Sequence, residues 1–285
     1  MKTLLVGLIG AGIQGSLAPA LQEEEARNHG LRLHYQLIDL DAAGSADEVL
    51  PALITAARVM GFAGLNVTYP CKQSVIPLLD DLSEEARAIG AVNTVVREGD
   101  RLVGYNTDGS GWSWGFRRAL PAADLLRVAL LGAGGAGSAC ADAVLRLGAR
   151  ELLIVDLDRA RAAALAQRMN LHFPGRRAAA APDAEWALRG ASGIIQATPV
   201  GMAGHPGLPV PERLLQPSMW VSEVVYVPLQ TPLLKAAQRT GCAIADGGHM
   251  NVGQAVGAFK LFTGLEADPA RMDAHFRKLV ALPGA

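Results

Sequence analysis

Three short segments place ionisable and hydrogen-bonding side chains where apolar runs stop: Asn66-Val67-Thr68-Tyr69-Pro70-Cys71-Lys72, Gly90-Ala91-Val92-Asn93-Thr94 and Gly104-Tyr105-Asn106-Thr107-Asp108-Gly109. In α/β proteins, sites form at the ends of strands. With Pro70 in the first turn of a helix, Lys72 stands just inside its start, where the positive helix end bears on the ammonium group and suits it to proton exchange. Hydride transfer needs a group that exchanges a proton with the substrate oxygen, and partners that hold a polar substrate in place. Lys72 paired with Asp108 meets the first need, and the neighbouring Asn and Thr side chains meet the second. Taken singly, Lys72 also reads as a solvated lysine and Asn106 and Thr107 as turn formers.

Glycines supply the second chemistry. GxGxxG occurs at Gly10, Gly12 and Gly15 and again at Gly132, Gly134 and Gly137, each time after an apolar strand. Such a loop lets backbone N–H groups approach a pyrophosphate at a helix N-terminus. Context separates the copies. After the second, Ser138 to Leu147 has helical period, Gly148 ends it, and the strand Leu152 to Val155 delivers Asp156, 24 positions beyond Gly132. That spacing suits a carboxylate on the adenosine ribose. In the first copy Pro19 postpones the helix and Asp39 comes 29 positions after Gly10, so it reads as a turn beside a substrate pocket. The two carboxylates of Asp156-Leu157-Asp158 accept bonds from ribose hydroxyls and repel a 2′-phosphate, which favours NAD over NADP. Arg159 or Arg161 could still meet a phosphate.

These groups are carried by apolar runs that alternate with helical periods, the pattern of an α/β fold with mainly parallel sheets. Strands are expected at Leu4 to Ile9, Leu33 to Leu37, Gly64 to Thr68, Ala91 to Val96 and Leu102 to Tyr105. A second series runs through Val128 to Leu131, Leu152 to Val155, Gly193 to Gln196, Trp220 to Val225 and Ala243 to Ala245. Helices are expected at Ala46 to Met60, closed by Gly61, at Ala160 to Met169, and after Asp268-Pro269. The organisation is a substrate-binding catalytic domain over 1–110, a Rossmann NAD-binding domain over 111–247 and further helices over 248–285. The start, Lys2 followed by Leu4 to Ile9, superficially resembles a secretory signal, but Gly7, Gly10, Gly12 and Gly15 interrupt it and favour a buried first strand.

Composition excludes other classes. Lys plus Arg total 26 against 27 Asp plus Glu, so no basic excess exists for nucleic acid or an anionic membrane. Cys71, Cys140 and Cys242 are odd in number and far apart, which fits neither a disulfide framework nor a metal motif and suits a reducing cytoplasm. The scattered histidines support no metal site.

Several ordered motifs are familiar together: Ser16-Leu17-Ala18-Pro19, Gly64 to Lys72, Gly90 to Thr94, Asn106-Thr107-Asp108, the Gly132 to Gly137 loop, Ala197-Thr198-Pro199-Val200-Gly201-Met202, Tyr226-Val227-Pro228 with Thr231-Pro232-Leu233, and Gln254-Ala255. In these the chain resembles the shikimate and quinate dehydrogenase family along nearly its full length. The resemblance implies that Lys72 and Asp108 form the catalytic pair. It further implies that Thr68, Asn93 and Gln254 bind hydroxyls of a cyclohexane or cyclohexene carboxylate, that Ser16 and Tyr226 help hold its carboxylate, and that the helices of 248–285 return to complete the first domain. The cofactor is expected on Gly132, Gly134, Gly135, Ala136, Gly137, Asp156, Asp158, Thr198, Pro199, Val225 and Gly248.

Three departures stand out. Ala18 replaces the second hydroxyl of the family's Ser-x-Ser or Ser-x-Thr, so one bond to the substrate carboxylate is expected to be missing. Gln22 replaces a common histidine. Leu157 stands where NADP-using members carry an arginine. The expectation is therefore a cytoplasmic, NAD-preferring oxidoreductase of the quinate or aminoshikimate branch, monomeric or homodimeric. The alternatives are a dehydrogenase for another small hydroxy acid or a non-catalytic NAD sensor of the same fold.

Overall fold

The computed structural model describes residues 3–42, 46–202 and 204–281. They form two compact units: one runs to Thr107 and resumes at Gln254, and the other spans Asp108 to Gly253.

The first unit opens with β1 (Thr3–Gly10), α1 (Ala18–Asn28), β2 (Arg32–Asp39), α2 (Ala46–Val59) and β3 (Gly64–Val67). It continues with β4 (Asp81–Leu82), α3 (Glu84–Ile89), β5 (Thr94–Glu98) and β6 (Arg101–Tyr105). The sheet order is β2-β1-β3-β5-β6-β4. β1 pairs in parallel with both β2 and β3, which accounts for its nearly unbroken apolar run. β3, β5 and β6 are antiparallel neighbours, with the β5–β6 hairpin closing over Gly99-Asp100. Leu50, Ile54, Leu65, Val67, Cys71, Val92 and Val95 pack in one buried cluster of this unit.

The second unit holds α4 (Asp108–Ala119), β7 (Arg127–Leu131), α5 (Gly135–Arg146), β8 (Glu151–Val155), α6 (Arg159–His172), β9 (Arg177–Ala180) and α7 (Ala184–Leu188). Then come β10 (Gly193–Gln196), β11 (Trp220–Glu223), α8 (Pro232–Thr240), β12 (Ala243–Ala245) and α9 (Gly247–Thr263), whose second half returns to the first unit before α10 (Pro269–Val280). All pairs in its sheet, β12-β11-β10-β7-β8-β9, are parallel. The order reverses between β7 and β10, the switch point at which doubly wound sheets bind ligands. Trp112 of α4 donates to Ser222 Oγ at 3.0 Å and stacks on Phe116, whose ring meets Trp220 edge-on, so α4 is fastened to β11. α4 and the start of α9 meet backbone to backbone: a Cβ on Gly253 would lie 2.5 Å from the Gly111 carbonyl oxygen.

The structure departs from the sequence expectations in several places, among them the short strand β4, which lies outside the expected strands. No α-helix starts at Pro70: residues 69–75 form consecutive turns after a cis Tyr69-Pro70 bond and lead into the short 3₁₀ segment Ile76–Leu78. The helix-end field expected at Lys72 therefore has no helix behind it. β5 begins at Thr94 rather than Ala91, because Val92 N–H is spent on the Lys72 carbonyl. β11 stops at Glu223, two residues before Val225: Val224 N–H is shared between Gln196 O and the Glu223 carboxylate, and Val225 N–H turns to the carboxylate. β9, hidden in the alanine run at 178–181, is an edge strand clipped by Asn170, whose amide pairs with both main-chain groups of Ala178.

The closing helix α10 is tied to α1 inside the first unit through a buried acid. Glu25, 1% exposed, accepts from Asp268 N–H at 2.8 Å and from Arg271 Nε and Nη2 at 2.9 and 2.6 Å, with His29 Nε2 at 3.0 Å. Burial pushes its carboxyl up. The bonds from Arg271, Asp268 N–H and His29, with the Arg271 charge, outweigh that and hold it below its ordinary 4.5. Arg271→Ala strands that carboxylate, and a loss of about 3 kcal/mol is expected. A folded value below the unfolded one contributes stability above about pH 4.5 and loses it as pH falls through the lower value. Urea unfolding at pH 7 and pH 3 should show the gap between variant and wild type closing in acid; an equal gap at both would refute this account.

Candidate active site

The glycine loop after β7 meets the three demands of a dinucleotide site. Gly132 has φ +97° and closes the turn; a Cβ there would lie 2.7 Å from the Ala197 carbonyl oxygen. Gly137 packs α5 onto that turn, since its Cβ would stand 2.0 Å from Gly132 O. A Cβ on Gly134 would meet no atom beyond its chain neighbours within 4 Å, so the glycine leaves open space over the loop. No side chain caps α5, and the N–H groups of Gly135, Ala136 and Gly137 in its first turn lack intrahelical acceptors. Donors aimed at open space from a helix N-terminus fit a pyrophosphate. The first GxGxxG differs: Gly10 is pressed on Thr68 Cγ2, while Gly15 faces nothing. Asp39 occupies its loop, accepting from Gly12 N–H, Ile13 N–H and Gln14 Nε2, with the Asp41 N–H bond the largest of the influences that hold its carboxyl below the ordinary value.

Asp156 at the end of β8 accepts Ala133 N–H at 2.7 Å and Asp158 N–H at 2.9 Å, so it braces the loop; each oxygen keeps a lone pair for a further donor. Asp158 is the N-cap of α6, accepting from Ala160 and Arg161 N–H. Leu157 between them is fully exposed. Arg159 reaches the Pro182 carbonyl at 3.4 Å and Arg161 lies 3.7 Å from Asp158.

The neighbouring strand ends are organised by buried polar residues. Gln196, wholly buried, donates to the Thr198 hydroxyl and Val200 carbonyl and accepts Thr198 N–H, which shapes the Thr198-Pro199-Val200 turn. Glu223 holds the Val224 and Val225 amides. The start of α9 lies against this turn: a Cβ on Gly247 would sit 2.2 Å from Val225 O, and Gly248 N–H donates to Asp246. Tyr226 is half-buried, and burial pushes its phenol up.

In the first unit the polar strand ends converge. Asn93, 3% exposed, donates to the Thr107 hydroxyl at 3.0 Å and to Gln254 Oε1 at 3.4 Å, and accepts Thr107 N–H at 2.8 Å. Behind it Tyr35 donates to Asn66 Oδ1, and Asn66 donates to Asn93 O and the Thr94 hydroxyl. Thr68 donates its N–H to Ile9 O, and the Lys72 carbonyl accepts Val92 N–H at 2.8 Å, so the lysine turn is fixed to the Asn93 segment through main chain. Ser16 Oγ accepts Ala18 N–H at 3.3 Å. Gln22, buried, donates to the Ala255 carbonyl beside Gln254. Asp108, buried, opens α4 at the head of the second unit. Asn106 and Thr107 are buried members of this framework, Asn106 donating to Ala91 O at 2.9 Å.

Gln196 and Glu223 are not among the residues singled out from the sequence. Both share one signal: a polar residue interrupting an apolar strand run near its C-terminal end.

Fold and loop define the class, a two-domain nicotinamide-dinucleotide oxidoreductase with an N-terminal substrate domain. Residues 8–95 match the family description "Shikimate dehydrogenase substrate binding domain". A shikimate dehydrogenase (NADP(+)) of Streptomyces avermitilis is 56% identical over 96% of this chain and 95% of its own. A quinate/shikimate dehydrogenase (NAD(+)) of Corynebacterium efficiens is 45% identical over 97% and 99%. The solved quinate dehydrogenase from Corynebacterium glutamicum in complex with NAD superposes with a TM-score of 0.90 at 42% identity, covering 98% of this chain and all of that one. The chain belongs to the shikimate and quinate/shikimate dehydrogenase family, and is an NAD(P)-dependent dehydrogenase. No described helix is long and apolar enough to cross a membrane.

Proposed function

We propose that this chain is an NAD-preferring dehydrogenase interconverting an alcohol and a ketone on a polyhydroxylated cyclohexane or cyclohexene carboxylate such as shikimate or quinate, in the cytoplasm, as a monomer or homodimer. Its relatives divide between cofactors, so the preference is carried by one observation: Leu157 stands bare between two carboxylates, with Arg159 and Arg161 turned to other partners. A 2′-phosphate brought there meets negative charge and guanidinium groups already engaged elsewhere.

The N–H groups of Gly135, Ala136 and Gly137 hold the pyrophosphate, with Gly132 and Gly134 shaping the loop, and Asp156 accepts from the ribose. Thr198, Pro199, Val225 and Gly248 border the nicotinamide half. Bound NAD supplies the hydride acceptor. Lys72 moves the proton at the reacting oxygen, and Asp108 orients the substrate and tunes the lysine. Thr68, Asn93 and Gln254 bind ring hydroxyls; Asn93 and Gln254 already share a hydrogen bond, which fixes the spacing of two such contacts. Ser16 and Tyr226 hold the carboxylate.

Steady-state kinetics with shikimate, quinate and aminoshikimate, each with NAD and NADP, test this reading. Expected is a kcat/KM with NAD at least about tenfold above that with NADP, the ratio given by roughly 1.4 kcal/mol of phosphate repulsion. Equal or inverted values overturn the preference. NAD binding without reduction on any ring acid would identify a sensor instead.

A further inference from the structure

Glu223 ends β11 with 1% of its surface exposed. Oε1 accepts Val225 N–H at 3.1 Å and shares Val224 N–H with the Gln196 carbonyl, each at 3.0 Å, while Oε2 accepts the Thr231 hydroxyl at 2.9 Å. Thr231 is itself fully buried and caps α8, accepting Leu234 N–H at 3.2 Å. One carboxylate therefore grips both ends of the turn that carries Tyr226, with the start of α9 pressed against Val225. Among the described residues no cation pairs with it. Burying an unpaired charge is costly, and a neutral amide could satisfy the same two N–H groups at less cost.

We propose that Glu223 is a positioning residue for substrate: by fixing residues 224–231 from both ends it sets where Tyr226 stands, and so sets affinity for the ring carboxylate. The proposal rests on the reading that Tyr226 holds that carboxylate.

Protonation gives the charge a measurable consequence. Burial pushes the Glu223 carboxyl up to about 7 against the bonds from Val225 N–H, the Thr231 hydroxyl and Val224 N–H. These are the groups that face it from its own turn and from α8, and no Lys, Arg, His, Asp or Glu contributes. A proton on Oε2 must point at Thr231 Oγ, whose own hydrogen then loses its acceptor. The intact grip belongs to the ionised form above about pH 7. Stability runs the other way: a folded value above the unfolded 4.5 means that folding favours the protonated carboxyl, so stability falls as pH rises from about 4.5 to 7. A merely structural carboxyl would thus weaken the enzyme as pH rises towards 7 and do nothing more above it, whereas a positioning carboxyl improves substrate affinity as it ionises through about pH 7.

Glu223→Gln keeps an acceptor for both amides and cannot titrate. KM for shikimate or quinate, kcat, NAD affinity and melting temperature should be measured from pH 6 to 8.5 in both proteins, with amide exchange at Val225 in wild type and Glu223→Ala. Expected is a wild-type KM that falls as pH rises through about 7, and a Glu223→Gln KM lacking that component and roughly fivefold higher at pH 8.5, with kcat and NAD affinity little changed. Exchange at Val225 should be roughly tenfold faster in Glu223→Ala. Glu223→Gln retaining the wild-type pH dependence of KM, or Val225 exchanging at the wild-type rate in Glu223→Ala, would overturn the proposal. If neither ring acid is turned over with either cofactor, the functional reading fails separately, and the exchange rates still decide the role of Glu223 in the turn.

Discussion

Lys72→Ala is expected to lower turnover by roughly two to four orders of magnitude, the span that positioned acid–base catalysis contributes. Affinity for NAD should stay within about twofold, because the residues proposed to hold it lie on other loops. The lysine turn has main-chain anchors that the substitution leaves in place. Its shape is held by main chain: the Lys72 carbonyl accepts Val92 N–H, Cys71 N–H donates to Thr68 O, and Ala11 N–H donates to Tyr69 O. Truncation beyond Cβ removes the proton carrier and leaves the scaffold. Lys72→Arg should rescue little, since a guanidinium keeps its proton throughout the working range. Single-turnover and steady-state rates, with NAD affinity read by titration, check this. An unchanged turnover number would remove Lys72 from the mechanism.

Much of this site was legible in the chain, for reasons that differ by residue. Strands with neighbours on both sides, such as β1 and β7, announce themselves as apolar runs because both faces are covered. The choice between the two glycine motifs was readable from the helix, strand and acid on the C-terminal side of the second, and the geometry of Gly132, Gly134 and Gly137 gives it a cause. What could not be read is whatever depends on a partner distant in sequence. Pro70 before Lys72 looks like a helix start locally, yet the segment is spent on bonds to Ala11 and Val92 and never becomes one. Asn106 and Thr107 read as turn formers, but Ala91 and Asn93 draw them into a buried framework. β9 is invisible because alanine carries little strand preference, and a side-chain amide from α6 fixes it instead.

The glycine loop yields the second large effect, which separates two reasons for lacking a side chain. Gly137→Ala puts a methyl 2.0 Å from Gly132 O and 2.8 Å from Gly132 C. Gly132 cannot retreat freely, being backed by Ala197, so α5 must move off the turn. Stability should fall by about 1–3 kcal/mol or more, as for other overpacked positions, and NAD affinity should fall with it. Gly134→Ala meets no atom beyond its chain neighbours within 4 Å and sits at φ −74°, which alanine adopts without strain. Its melting temperature should match wild type, yet NAD should bind roughly tenfold or more weakly, because the methyl intrudes where the pyrophosphate approaches the backbone. Gly15→Ala, equally unobstructed in the other motif, should change neither quantity. Cofactor titrations and thermal melts of the three variants decide the matter. Weakened NAD binding in Gly15→Ala with normal binding in Gly134→Ala would move the dinucleotide to the N-terminal loop, and a stable Gly137→Ala of normal affinity would show that α5 need not pack so closely on β7.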